Sequence, residues 1–138
     1  MAILDNEMVL SKEQVETTVA AHVCTNKAYY DFGADGNAEG FRIIATMAEA
    51  ATSTGNATVQ FIVQMDTVAA FSSPTTVYDS TAIGKATLVK GYKAVDYLFT
   101  RACERYVRIT YTIGTEVLAT GKFNAWIDNK IQTNGIES

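Results

Sequence analysis

Apolar residues recur at every second position over most of this chain. Phe41, Ile43, Ala45 and Met47 fall on one side and Arg42 and Thr46 on the other, the alternation of a strand with one buried face. Thr52, Ser53, Thr54, Gly55 and Asn56 then form a turn cluster. Beyond it, Val59, Phe61, Val63 and Met65 alternate with Thr58, Gln60, Gln64 and Asp66, and only Ile62 breaks the polar side. With the Gly-Asn-containing connection between them, the two runs predict an antiparallel hairpin. A third run sets Val107, Ile109, Tyr111 and Ile113 against Arg108, Thr110 and Thr112, and Gly114 and Thr115 end it. In residues 122–132, Phe123, Ala125 and Ile127 alternate with Asn124, Trp126 and Asp128, which turns the tryptophan away from the core. Shorter candidates are 28–32, 76–83 and 92–99. About six to eight strands with turns between them predict an all-β fold, an antiparallel β-sandwich or jelly roll, over a parallel α/β sheet.

Helix is scarce on this pattern. Ser11 with Gln14 fits a capping box for a single turn, and Val15, Val19 and Val23 keep a spacing of four. Thr17, Thr18, Val19 and Val23 are β-branched, however, and lose side-chain freedom in a helix. The expectation is an extended N-terminal arm over 1–20 followed by one sandwich domain over 21–138. Residues 45–51 are ambiguous, because Ala and Met favour helix while the surrounding pattern favours strand.

The 138 residues suit a single domain, and 48% hydrophobic with 19% charged residues is ordinary globular usage. A net charge of −4 without a Lys/Arg cluster lacks the footprint of a nucleic-acid binder. Residues 1–10 carry Asp5 and Glu7 where a signal peptide has a basic segment, and no apolar run reaches the length of a spanning helix. Neither nucleic acid nor a membrane is therefore an expected partner. Cys24 and Cys103 lack metal-ligand spacing, and both a disulfide between them and two free thiols remain open, the thiols being the simpler expectation.

Candidate chemistry is thin. His22 is the one histidine available as a base, and beside Cys24 it lacks an evident orienting carboxylate or oxyanion hole. Asp35, Asn37, Glu39 and Gly40 match the first half of a calcium loop, but Thr46 stands where the bidentate acid belongs. Gly33, Gly36 and Gly40 miss the dinucleotide spacing. Asp66, Asp79, Asp96, Glu104 and Asp128 are available for paired-carboxylate chemistry, yet they sit at expected strand ends or polar faces. The chain is expected to be no enzyme, with no cofactor and no metal.

Residues 64–76, QMDTVAAFSSPTT, resemble a signature of small capsid cement proteins of tailed bacteriophages, a jelly-roll family typified by the cement protein of a Bordetella podovirus. The resemblance continues at 104–115, ERYVRITYTIGT; at 119–122, ATGK; at Tyr30, Asp31, Phe32 and Gly33; and at Met8, Val9, Leu10 and Ser11 with Gln14. These blocks are collinear over most of the chain, and the fit is loosest over 35–41 and 90–102. The resemblance implies a decoration protein made in the host cytoplasm and carried on the outer surface of the capsid. It would bind the major capsid protein, associate with itself as a dimer or trimer, and bring no catalytic residues.

Three places are candidates for contact: the arm, through Met8 and Leu10; the loop bearing Phe71 and Pro74, where Phe71 is expected to plug the sandwich end instead; and the face bearing Trp126. An extended arm could add to a neighbouring sheet edge, and an outward tryptophan could anchor an interface. The rival expectation is a carbohydrate-binding or receptor-binding module of a virion, with Trp126 and tyrosines as sugar platforms.

Overall fold

The computed structural model describes residues 8–33, 40–100 and 104–129, which form nine strands and, among those residues, no α-helix. They are β1 (Val9–Val15), β2 (Ala21–Val23), β3 (Tyr30–Asp31), β4 (Phe41–Thr52), β5 (Thr58–Asp66), β6 (Thr75–Gly84), β7 (Lys93–Leu98), β8 (Tyr106–Gly114) and β9 (Thr120–Asn129). One sheet, A, runs β1-β9-β4-β7; the other, B, runs β2-β8-β5-β6, with β3 also paired to β8. Without the two-residue β3, the eight strands have the order of a jelly roll, a double sheet of two Greek keys.

The strand assignments hold, including 45–51, which belongs to β4. The pairing of β4 with β5 does not. β4 pairs β7 and β9, whereas β5 pairs β6 and β8, so residues 53–57 carry the chain from one sheet to the other. Alternation fixes which side of a strand faces the core, but strands of opposite sheets face the same core. Ser53 secures this corner: its Oγ donates to Val117 O at 2.7 Å and accepts from Gly55 N at 3.1 Å, while Lys85 Nζ donates to Ser53 O at 2.6 Å.

The inner faces supply a continuous core. Leu10, Ile43, Ala45, Met47, Val95, Phe123, Ala125 and Ile127 from sheet A meet Val59, Phe61, Val63, Val107, Ile109, Tyr111 and Ile113 from sheet B. Each large aliphatic or aromatic side chain so buried contributes about 1.5–3 kcal/mol relative to exposure. At the centre Tyr111 stacks on Phe123, with ring centroids 4.6 Å apart, and Phe61 meets both rings edge-on. Phe32, Phe41, Tyr97 and Phe99 close one end of the sandwich through edge-to-face contacts, and Leu88 and Leu118 close the other.

The buried tyrosine hydroxyl needs a partner, and β1 provides one. Tyr111 Oη donates to Ser11 Oγ at 2.9 Å, and Ser11 Oγ donates to Gln14 Oε1 at 2.7 Å. Gln14 Oε1 also accepts from Thr25 N, and its Nε2 donates to Val23 O at 2.9 Å, which ties the first strand of sheet A to the edge of sheet B. Ser11 and Gln14 thus bond side chain to side chain across a bulged strand, where Glu13 has φ 49°, instead of capping a helical turn. Every buried side-chain polar atom of the described residues has a hydrogen-bond partner.

Candidate interaction surfaces

Of the expected arm, Val9–Val15 form the edge strand of this molecule's own sheet, paired with β9, and residues 1–7 lie outside the described residues. Leu10 is fully buried and Met8 packs against the core, so Leu10 is withdrawn from the surface and the two anchor the segment to this molecule.

Each sheet edge is blunted. β1 carries two bulges, β2 has three residues, β7 begins at exposed Lys93 and shifts register at Ala94, and β6 is broken by a bulge at Ser80 and Thr81. The last bulge is fixed by polar contacts: Thr81, at φ 61°, donates its N–H to Asp79 Oδ1, and Ser80 Oγ accepts from Phe61 N. Edges interrupted in this way resist further strand addition, which directs attention to the two outer faces.

On sheet A, Trp126 does point away from the core. The register sets it between Val9 and Ile44, and it is half-buried. Ile44, although on the outer side, is 8% exposed. Beside this apolar row two cations share one acid: Arg42 Nη1 donates to Asp96 Oδ1 at 2.8 Å, and Lys93 Nζ lies 3.5 Å from Asp96 Oδ2. Next to the row, Glu13, Thr46, Lys90 and Asn124 line a shallow trough of about 410 Å³.

Sheet B presents a different surface. Arg108 alternates with buried Val107 and Ile109, so its side chain leaves from the outer face. Phe71 lies against it, with the Arg108 guanidinium carbon 4.3 Å from the ring centroid. Phe71 therefore does not plug the sandwich end; that place is taken by the Phe32, Phe41 and Phe99 cluster. Phe71 is 7% exposed because the 67–74 connection folds it back over the sheet, where Tyr29 meets its other side at 6.2 Å and Tyr106 continues the row at 5.2 Å from Tyr29. Pro74 is half-buried at the end of this loop.

Asp66 shapes the loop. One carboxylate oxygen accepts from Thr67 N and Val68 N, the other from Ser73 N at 3.0 Å. Desolvation pushes this carboxyl upward, but the N–H donors outweigh it and hold it below the usual carboxylate value. At the end of the aromatic row, Arg105 grips Asp31 with two bonds of 2.9 Å and lies over Tyr106, and Asp31 is likewise held low, first by Arg105 and then by Gly33 N.

These surfaces lie inside a region that one family model covers. The family model Bbp16 matches residues 10–127. The chain belongs to the Bbp16 family. That name points to a protein of a Bordetella phage, and no curated protein matches the chain. The Bbp16 match runs from buried Leu10 to buried Ile127, so it takes in both sheets and both faces, including Phe71, Pro74, Arg108 and Trp126.

Other residues singled out from the Bbp16-family sequence fall into structural places. His22 does have a carboxylate: its Nδ1 is 3.0 Å from Glu16 Oε1, while Nε2 faces Thr18 O at 2.8 Å. Both nitrogens are thus directed away from Cys24, whose thiol is free, buried beside Ile109 O and Tyr111 Oη, and raised in pKa by desolvation. Glu16 stands six positions before His22, a spacing with no strand or helix signature, and the loop between β1 and β2 alone brings them together. Asp79 accepts from Gln60 Nε2 at 2.7 Å and Asp96 joins Arg42, so neither faces another carboxylate of the group considered for paired chemistry. Cys103 and, of the calcium-like loop, Asp35, Asn37 and Glu39 lie outside the described residues.

Proposed function

We propose that this protein is a structural component of a phage virion, a cement or decoration protein that binds the outer surface of the head and reinforces contacts between major capsid protein subunits. The observation that carries this is the Bbp16 family match across the whole sandwich. Supporting it, the jelly roll is a fold that viral capsid proteins use, and His22, Cys24, Asp66, Asp79 and Asp96 are each engaged in contacts that hold loops and strands. Blunted edges leave two faces as the natural places for contact. Repeated over a shell, modest contacts of this kind add avidity, so each molecule reinforces several subunit boundaries without one strong interface. Self-association as a dimer or trimer belongs to the same proposal.

Co-sedimentation with empty phage heads tests it. The protein is expected to pellet with the heads at saturable stoichiometry and to raise the temperature at which they rupture; absence of both effects overturns the proposal. Lectin domains also use the jelly roll, and Trp126 on an outer face suits a sugar platform. Saturable glycan binding abolished by Trp126→Ala, without head binding, would establish that alternative. Light scattering of the isolated protein reads its oligomeric state.

A further inference from the structure

The three described arginines are not equivalent. Arg42 is paired with Asp96 and Arg105 with Asp31, both at hydrogen-bond distance. Arg108 is held just as firmly, but by neutral groups. Its Nε donates to Gln64 Oε1 at 3.0 Å, the cross-strand neighbour on β5, and its guanidinium lies on the Phe71 ring. Among the described residues no carboxylate forms an ion pair with it. Asp66 is near enough to act on Arg108 through its charge, but it is 4% exposed and its two oxygens are taken by Thr67, Val68 and Ser73 of the loop that carries Phe71.

We infer that Arg108 is a docking residue that receives a carboxylate, an Asp or Glu side chain, from the shell protein on which this molecule sits. This rests on the cement reading. The single bond through Nε fixes the plane of the guanidinium and leaves its two terminal nitrogens for a bidentate partner, the geometry in which arginine recognises carboxylates best. The ring of Phe71 removes part of its water and immobilises it before binding, which lowers the entropy lost on association. Tyr29 and Tyr106 extend the same surface as half-buried aromatics, the company in which interface arginines carry most of their binding energy. Charge complementarity selects the occupant: Arg108 has no ion-pair partner among the described residues, and the acid whose charge reaches it, Asp66, is already committed to backbone N–H groups, so its terminal nitrogens suit an acidic group from outside.

The test measures binding of the full chain to empty heads assembled from the major capsid protein, with wild type, Arg108→Gln and Arg108→Lys compared at low and high salt. Circular dichroism and thermal melts check that both variants fold. Arg108→Gln is expected to weaken binding by roughly tenfold or more, and Arg108→Lys to recover only a minor part, because an ammonium keeps the charge but loses the planar fork. Added salt is expected to weaken wild type more than Arg108→Gln. Equal binding of wild type and both variants overturns the inference while leaving the cement reading intact. Failure of wild type to bind heads overturns the cement reading, and the inference with it. If Arg108→Gln instead changes the mass of the protein in solution, the carboxylate belongs to a second copy and the assignment to the shell protein is overturned.

Discussion

The two outer faces of the sandwich hold similar residues in different relations. On sheet A a large aromatic, Trp126, stands beside Ile44 and Val9, and the cations at its flank, Arg42 and Lys93, share Asp96. On sheet B a large aromatic, Phe71, carries a cation that forms no ion pair among the described residues, while Asp66, whose charge reaches it, is absorbed by backbone N–H groups. The same ingredients thus give one face whose arginine is paired with an acid of its own sheet and another that ends in a guanidinium without an ion pair among the described residues. An exposed ion pair adds little stability and little attraction for a partner, whereas an immobilised unpaired cation keeps its capacity to bind.

Substitution should separate the faces. Phe71→Ala is expected to destabilise most, by about 3 kcal/mol in urea denaturation, since it removes a nearly buried ring and the platform under Arg108. Trp126→Ala, at a half-buried position, should lose about 1–2 kcal/mol; if it proves the more costly of the two, the outer face of sheet A is the more tightly packed. Arg108→Met should change stability by about 1 kcal/mol or less, the size of a surface cation–π contact, so a strong effect on head binding could not be ascribed to unfolding. Arg42→Met should stay within about 0.5 kcal/mol, as exposed pairs do. The acid response is the subtlest. Asp31 and Asp66 have pKa values lowered from 3.8 in the folded state. Their stabilising contribution is present above that value and fades as pH falls through the folded values. Acid titration of Asp66→Asn should therefore show a shallower loss of stability than wild type, and an unchanged slope would mean that the loop does not depend on the carboxylate.

Much of this arrangement is legible in the chain before it folds. The alternation in β4, β5, β8 and β9 identifies the inward residues correctly, from Ile43 and Phe61 to Tyr111 and Ile127, and it places Trp126 outside. The same alternation shows Arg108 and Gln64 on polar sides but contains nothing about Phe71. That residue follows a strand, in a connection whose path depends on Asp66 gathering three backbone N–H groups and on a left-handed conformation, φ 51°, at Phe71 itself. Glu16 and His22, and Ser11 and Tyr111, are likewise joined by long-range or loop geometry.

By itself, then, the sequence determined the all-β class, the strands from β3 to β9, and the sides of β4, β5, β8 and β9 that meet the core. These follow from period-two burial, a property local to each segment. Only the tertiary structure decided that β4 and β5 belong to opposite sheets, that Leu10 is core, and that Phe71 lies on the outer face beneath Arg108 instead of in the sandwich end. Those outcomes turn on which strands share hydrogen bonds and where a loop comes to rest, and residues far apart in the chain settle both.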